Sequence, residues 1–270
     1  MGVCKERIVK SAFLVVGVIL VLSCCKVKKM TLDGSKAVFS DFNALSETFL
    51  EKVRKGHDVK TIQMQLAGAT VDELATSLKT DAQRYAFWIN IYNAYIITTL
   101  RKHPEYYDDK DGFFTENRMT IAGETISFDK IEHGILRRSQ WKLGLGYIRK
   151  WFPNAFERKL RVRKRDFRIH FALNCGAKDC PPVAIYTPER VNEQLNEGTT
   201  SYLRKTTKID SKSERVSVTP LFNWFRGDFG GKSGTKKILK NFGLIESNRS
   251  IEIAYSGYDW TLNIDNFIDF

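Results

Sequence analysis

The chain has 270 residues, 43% of them hydrophobic and 12% aromatic, enough to bury one sizeable core. It holds no internal repeat and no long low-complexity run, which excludes a solenoid and a disordered linker and predicts one globular domain over residues 39–270. The formal charge of +12 fits an anionic partner such as a lipid surface or an acidic envelope polymer, yet no nucleic-acid-binding module accompanies it, so no nucleic acid is expected.

Residues 1–23 have a short basic start and an apolar core over 12–22, short for a spanning helix and flanked as in a secretory signal. An uncleaved membrane anchor is the alternative reading. Residues 21–24 (VLSC) resemble a lipobox, which implies cleavage before Cys24 and attachment of that cysteine to the lipid bilayer. Cys25 carries no negative charge at the position that sorting rules read, which points to the outer membrane, with the folded part outside the cytoplasm. Residues 24–38, with Lys26, Lys28 and Lys29, form a basic tether suited to a lipid surface.

In the folded part, Phe42, Leu45, Phe49 and Val53 recur at helical spacing over 40–54. Residues 58–66 are ambiguous and 71–78 predict a short helix. The segment 80–103 predicts a long one, opened by a Thr80–Gln83 capping box, closed by Arg101, Lys102 and His103, and apolar on almost every side. On this buried rod Asn90 and Asn93 share a face, where they either bond to neighbouring backbone or face a site. A polar loop follows, then a hairpin over 119–128 about Gly123 and a helix over 131–138 on which Glu132 and His133 point to different faces.

The run 157–168 is dense in cations: Arg158, Lys159, Arg161, Arg163, Lys164, Arg165 and Arg168. It reads either as a solvated edge that discourages strand aggregation or as a patch for anionic lipid or polymer. Residues 167–174 alternate as a strand, with Arg168, His170, Ala172 and Asn174 on one face and Cys175 on the other. Beyond it, helices over 191–203 and 236–242 and strands over 215–218 and 251–262 complete the chain.

Three readings compete for Cys175 and Cys180. Five positions apart across a turn in an oxidising compartment, they are natural disulfide partners. Alternatively one is a catalytic thiol with His170 as its base, in which case Cys180 is the better placed because Cys175 points away from His170 on a regular strand. A metal site with His170 is the third reading, but its spacing matches no common zinc pattern. No phosphate loop, serine elbow or paired metal-ligand helix is visible, so no cofactor and no metal is expected.

Six segments carry a family resemblance: 87–94 (FWINIYNA), 131–137 (IEHGILR), 170–177 (HFALNCGA), 180–182 (CPP), 224–229 (WFRGDF) and 258–263 (YDWTLN). Together they resemble the family catalogued as domain of unknown function 547, over about residues 39–270, with Phe225 standing where a tyrosine is expected. The resemblance implies kinship and no settled activity. A buried helix followed by a His-bearing strand is also similar to the papain-like and transglutaminase-like layout, although residues 81–84 lack the cysteine that opens the helix there. The expected fold is therefore α+β, a buried central helix packed on a mainly antiparallel sheet. The expected site is a pocket where Asn90 and Asn93 meet His170, Cys175 and Cys180, belonging to a thiol-dependent hydrolase or acyl transferase acting on peptide or amide bonds. A non-catalytic binding or scaffolding module, using the basic run at the cell envelope, is the alternative.

Overall fold

The computed structural model describes residues 41–210, 212–245 and 251–270. The signal peptide expected over 1–23, the acylated Cys24 and the tether over 24–38 lie outside the described residues. Helix α1 (Phe42–Arg54) is capped by Asp41, whose carboxylate accepts from the Ala44 amide, and it buries the stripe that its spacing predicts. The ambiguous segment forms α2 (Lys60–Gly68), and a Thr70–Glu73 capping box opens α3 (Val71–Ser77). Helix α4 (Asp81–Lys102) starts at the Thr80–Gln83 box and is buried along almost its whole length.

What covers α4 differs from the expectation of a sheet. Its main neighbours are helices and turns: Phe49 of α1 meets Tyr95 edge-on at 5.1 Å, Phe128 meets Tyr92 at 5.6 Å and Phe156 meets Trp88 at 6.2 Å. Aromatic rings delivered from helices fill the space that a sheet face was expected to fill. After α5 (Lys110–Thr115), strands β1 (Met119–Ile121) and β2 (Glu124–Ile126) pair as the predicted hairpin. Its turn residues Ala122 and Gly123 both have positive φ, and their amides donate to the Leu66 and Ala67 carbonyls at the end of α2 (2.8 and 3.0 Å). Helices α6 (Ala155–Leu160) and α7 (Val191–Thr206) lead to a second sheet. There β3 (Lys208–Asp210) pairs antiparallel with β4 (Arg215–Val218), which pairs parallel with β5 (Glu252–Tyr255). Val216, Val218 and Ile253 of this sheet pack with Phe222 of α8 (Leu221–Trp224) and Leu239 of α9 (Gly231–Asn241) in a second hydrophobic cluster. The fold is mixed α+β, with small sheets beside a large helical core.

Two local structures depart from the predicted ones and shape the site. Residues Lys130–Leu136 wind as a π turn, with the Arg137 amide donating to the Glu132 carbonyl five residues back (2.8 Å). Residues Phe167–Phe171, expected as a strand, form a 3-10 turn capped by Asp166, whose carboxylate accepts from the Arg168 amide at 3.0 Å. A 3-10 turn repeats every three residues, so within it His170 lines up with Phe167 rather than with Arg168, and both rings approach Phe229. Among the described residues the cationic run borders no strand; it lies on α6, the irregular chain after it and, at Arg168, the 3-10 turn.

The two buried amides of α4 hold this irregular chain in place. Asn90 donates to the Tyr186 carbonyl (2.8 Å) and accepts from the Tyr186 amide (2.9 Å), as a neighbouring strand would. Asn93 does the same across two residues, donating to the Ala172 carbonyl (3.0 Å) and accepting from the Asn174 amide (2.9 Å). Truncating Asn90 to alanine leaves both polar groups of Tyr186 unpaired in the interior. Asn90→Ala is expected to lower the unfolding free energy by about 2 to 3 kcal/mol, read from urea denaturation.

Candidate functional site

The site begins with Asp228, on the loop after α8. Gly227 lets that loop approach closely, since a Cβ there would meet the Gly146 carbonyl carbon at 2.5 Å. The Asp228 side chain is nearly sealed from water, and its carboxylate accepts from Arg137 Nε (2.6 Å), Arg165 Nη1 (2.7 Å) and His170 Nε2 (2.9 Å). Burial works to raise its pKa, but the hydrogen bond from His170 and the charge of Arg137 prevail and hold it down to about 2. The aspartate is therefore charged, and the proton between it and His170 sits on Nε2.

His170 is buried against Phe225, with ring centroids 4.0 Å apart. Burial pushes its pKa down to about 4 against the pull of Asp228, so the ring is neutral at pH 7. Arg137 also reaches His133, placing Nη1 2.6 Å from Nδ1. A guanidinium only donates, so Nδ1 accepts and the ring proton of His133 lies on Nε2, 3.5 Å from Asp129 Oδ1. Burial, then Arg137, holds His133 well below its ordinary pKa.

Glu132 sits at the edge of this network, its Oε1 3.7 Å from His133 Nδ1. Its buried Oε1 has no hydrogen-bond partner, and burial lifts its carboxyl to about 7, with Arg137 opposing and Asp129 adding to the rise. Glu132, His133 and His170 line one cavity of about 230 Å³, together with Asp129, Lys142 and Cys175. Aromatic residues share its lining: Trp224 stacks on Trp260 at 5.5 Å, and Tyr258 lies 5.0 Å from Trp224. The expectation that Glu132 and His133 face apart is thus corrected. A π turn advances each residue by a smaller angle than an α-helix, so neighbouring side chains open onto one space.

Cys175 and Cys180 form a disulfide. Cys175 lines the cavity that His170 lines, whereas Cys180 is buried behind it and accepts from the Cys175 amide (3.0 Å) and the Tyr258 hydroxyl (3.3 Å). This reverses the relation expected from a strand, in which Cys180 was the nearer to His170. Neither sulfur is a thiol in this oxidised form. Asn90 and Asn93 do not line the cavity; Asn93 acts on it indirectly, by fixing the backbone two and four residues beyond His170. Among the described residues, no three His, Cys, Asp or Glu side chains are grouped to hold a metal ion.

Glu132, His133, Arg137 and Asp228 are among the site residues that reasoning from the sequence passed over. Each is an ionisable residue inside an apolar motif, at 131–137 or 224–229, and that signal could have found them. Residues 75–203 match the family model described as protein of unknown function, DUF547. The match supports the kinship that the motifs suggest. It spans both amides, Glu132, His133, Arg137, His170 and the disulfide, while Asp228 and the aromatic wall lie beyond it. No curated protein and no solved structure matches the chain.

The buried imidazoles make stability depend on pH. A histidine whose folded pKa is depressed below the ordinary 6.5 favours protonation in the unfolded chain, so its contribution is complete above 6.5 and is lost as pH falls toward about 4. His133 acts in the same direction. Glu132, lifted to about 7, works in the opposite sense as pH falls, so the check is comparative: the change in unfolding free energy between pH 6.5 and 4 is expected to be less destabilising in His170→Gln than in the parent, as read from urea titrations at stepped pH.

Proposed function

We propose that the chain is an envelope hydrolase acting on acyl bonds of amide or ester type, with the Glu132 carboxyl in place of a thiol as its working group. The observation that carries this reading is a largely buried carboxyl, one oxygen of which is sealed and unpartnered, at the wall of an aromatic-lined cavity. A carboxyl poised near pH 7 by burial can take a proton and return it. Water attacks the carbonyl carbon while Glu132 accepts the water's proton. As the bond to the leaving group breaks, Glu132 returns that proton to the leaving nitrogen or oxygen. Lys142 lines the same cavity with its ammonium held by Asp111 and Asp129, and its remaining N–H can donate toward the developing oxyanion. A papain-like or transglutaminase-like arrangement is not required, because residues 81–84 carry no cysteine and His170 rides on a turn. On sequence grounds the protein is placed at the outer membrane through lipid on Cys24.

The test uses the full oxidised chain with p-nitrophenyl acetate and an acyl p-nitroanilide as probes. Turnover is expected to rise as pH climbs through about 7, where Glu132 loses its proton. It should resist iodoacetamide, and it should fall by about a hundredfold or more in a folded Glu132→Gln protein. Activity that survives Glu132→Gln, or that appears only with reductant and is blocked by iodoacetamide, would return the role to a thiol.

A second reading, a binding module for an acidic polymer, is favoured by a cleft of about 1040 Å³ that shares Arg137 and Asp228 with the site. Lys164, Arg168 and Arg204 line it, although Asp166 occupies Arg168. Lys164→Glu combined with Arg204→Glu is expected to weaken binding of an anionic polysaccharide and flatten its salt dependence in a titration.

A further inference from the structure

The segment 141–152 (WKLGLGYIRKWF) exposes more large apolar side chains than any other stretch among the described residues. Phe152 is 91% exposed, Trp151 85%, Leu143 71% and Tyr147 62%, with Trp141 and Ile148 each 47% exposed. Their exposure is not a loose end of chain. The Trp141 amide donates to the Ile148 carbonyl (2.9 Å) and the Lys150 amide to the Ser139 carbonyl (2.8 Å), closing a loop with a 3-10 turn at Lys142–Gly144. The loop is pinned to the site, because the Gly227 amide donates to the Leu145 carbonyl (2.7 Å) beside Asp228. It is a built projection that holds rings and aliphatic chains in water, which costs free energy unless something apolar receives them.

The surrounding charge identifies what receives them. Arg161, which donates to the Ser139 hydroxyl at the base of the loop (3.0 Å), is pressed below its usual range by burial and then by Arg138, Arg149 and Arg158, with Glu157 opposing. The nearby carboxylates are already engaged: Asp111 and Asp129 hold Lys142, and Glu157 holds Lys130 and Lys150. The apolar tip therefore rises beside arginines whose neighbouring carboxylates Asp111, Asp129 and Glu157 are already held by lysines. A second copy of this chain would bring the same cations face to face. Tryptophan, phenylalanine and leucine with arginine at their base match the boundary of an anionic bilayer, where rings settle among headgroups and arginines meet phosphates.

We infer that the 141–152 loop docks into the surface of an anionic lipid bilayer, burying Trp151, Phe152 and Leu143 among the headgroups. Lys142 belongs both to this loop and to the wall of the 230 Å³ cavity, so docking brings the cavity to the lipid surface. The inference does not rest on the role given to Glu132.

The experiment reconstitutes the full chain on vesicles of phosphatidylcholine with phosphatidylglycerol, carrying bromine near the headgroup end of the acyl chains. Because bromine quenches only rings that touch it, the readout reports the loop whatever else holds the chain to the vesicle. Tryptophan emission is expected to be quenched and blue-shifted, and Trp141→Phe with Trp151→Phe should lose most of that quenching. Arg149→Glu with Arg158→Glu should reduce it on anionic vesicles and leave it unchanged on phosphatidylcholine alone. Circular dichroism checks that these surface variants stay folded. Emission untouched by bromine, or quenching equal in the double tryptophan variant, overturns the inference. So does a dimer in detergent that dissociates in Trp151→Ser with Phe152→Ser, which would assign the loop to a second copy.

Discussion

A carboxylate sealed from water stays charged only when donors surround it, and Asp228 has three. They come from residues 91, 63 and 58 positions earlier in the chain, on the π turn, the cationic run and the 3-10 turn. One side chain thereby holds three segments that share no strand pairing. The ion pairs pay a desolvation cost, and what they secure is relative placement more than net stability. Arg137 is the clearest case. It is 1% exposed, its Nη2 has no partner, and its guanidinium lies 4.7 Å from the centre of the Phe225 ring. Asp228 and His133 hold it.

This pair separates two environments. On one side lies the aromatic cavity with Glu132 and the disulfide, and on the other the open basic cleft. Burial drives the rise of the Glu132 pKa and Arg137 restrains it, so the arginine that balances Asp228 also acts on this carboxyl. Below this level, Asn93 fixes the backbone after His170 and Asn90 fixes Tyr186. The irregular chain across α4 gains from two carboxamides the hydrogen bonds that a sheet would have supplied.

The segments legible from sequence were those whose cause is local. A capping box and a nearly continuous apolar run specify α4, and a turn beside β-rich residues specifies the 119–126 hairpin. Residues 167–174 misled because alternation also describes a turn whose aromatic residues pack inward. A strand needs a partner to satisfy its backbone, and here Asp166 and Asn93 satisfy it instead. Residues 131–138 carry a helical pattern, and only the packing around them selects the wider π winding that turns Glu132 and His133 toward one cavity.

By itself the sequence determined the buried helix, its two interior amides, the excess of positive charge and the family motifs, because each is written in neighbouring residues. The tertiary structure alone decided that the amides bind backbone, that His170 and Cys175 share a cavity and that Asp228 gathers Arg137, Arg165 and His170. Those pairings join residues tens of positions apart, and which donor meets which acceptor depends on how the intervening chain packs, a quantity that local pattern does not encode.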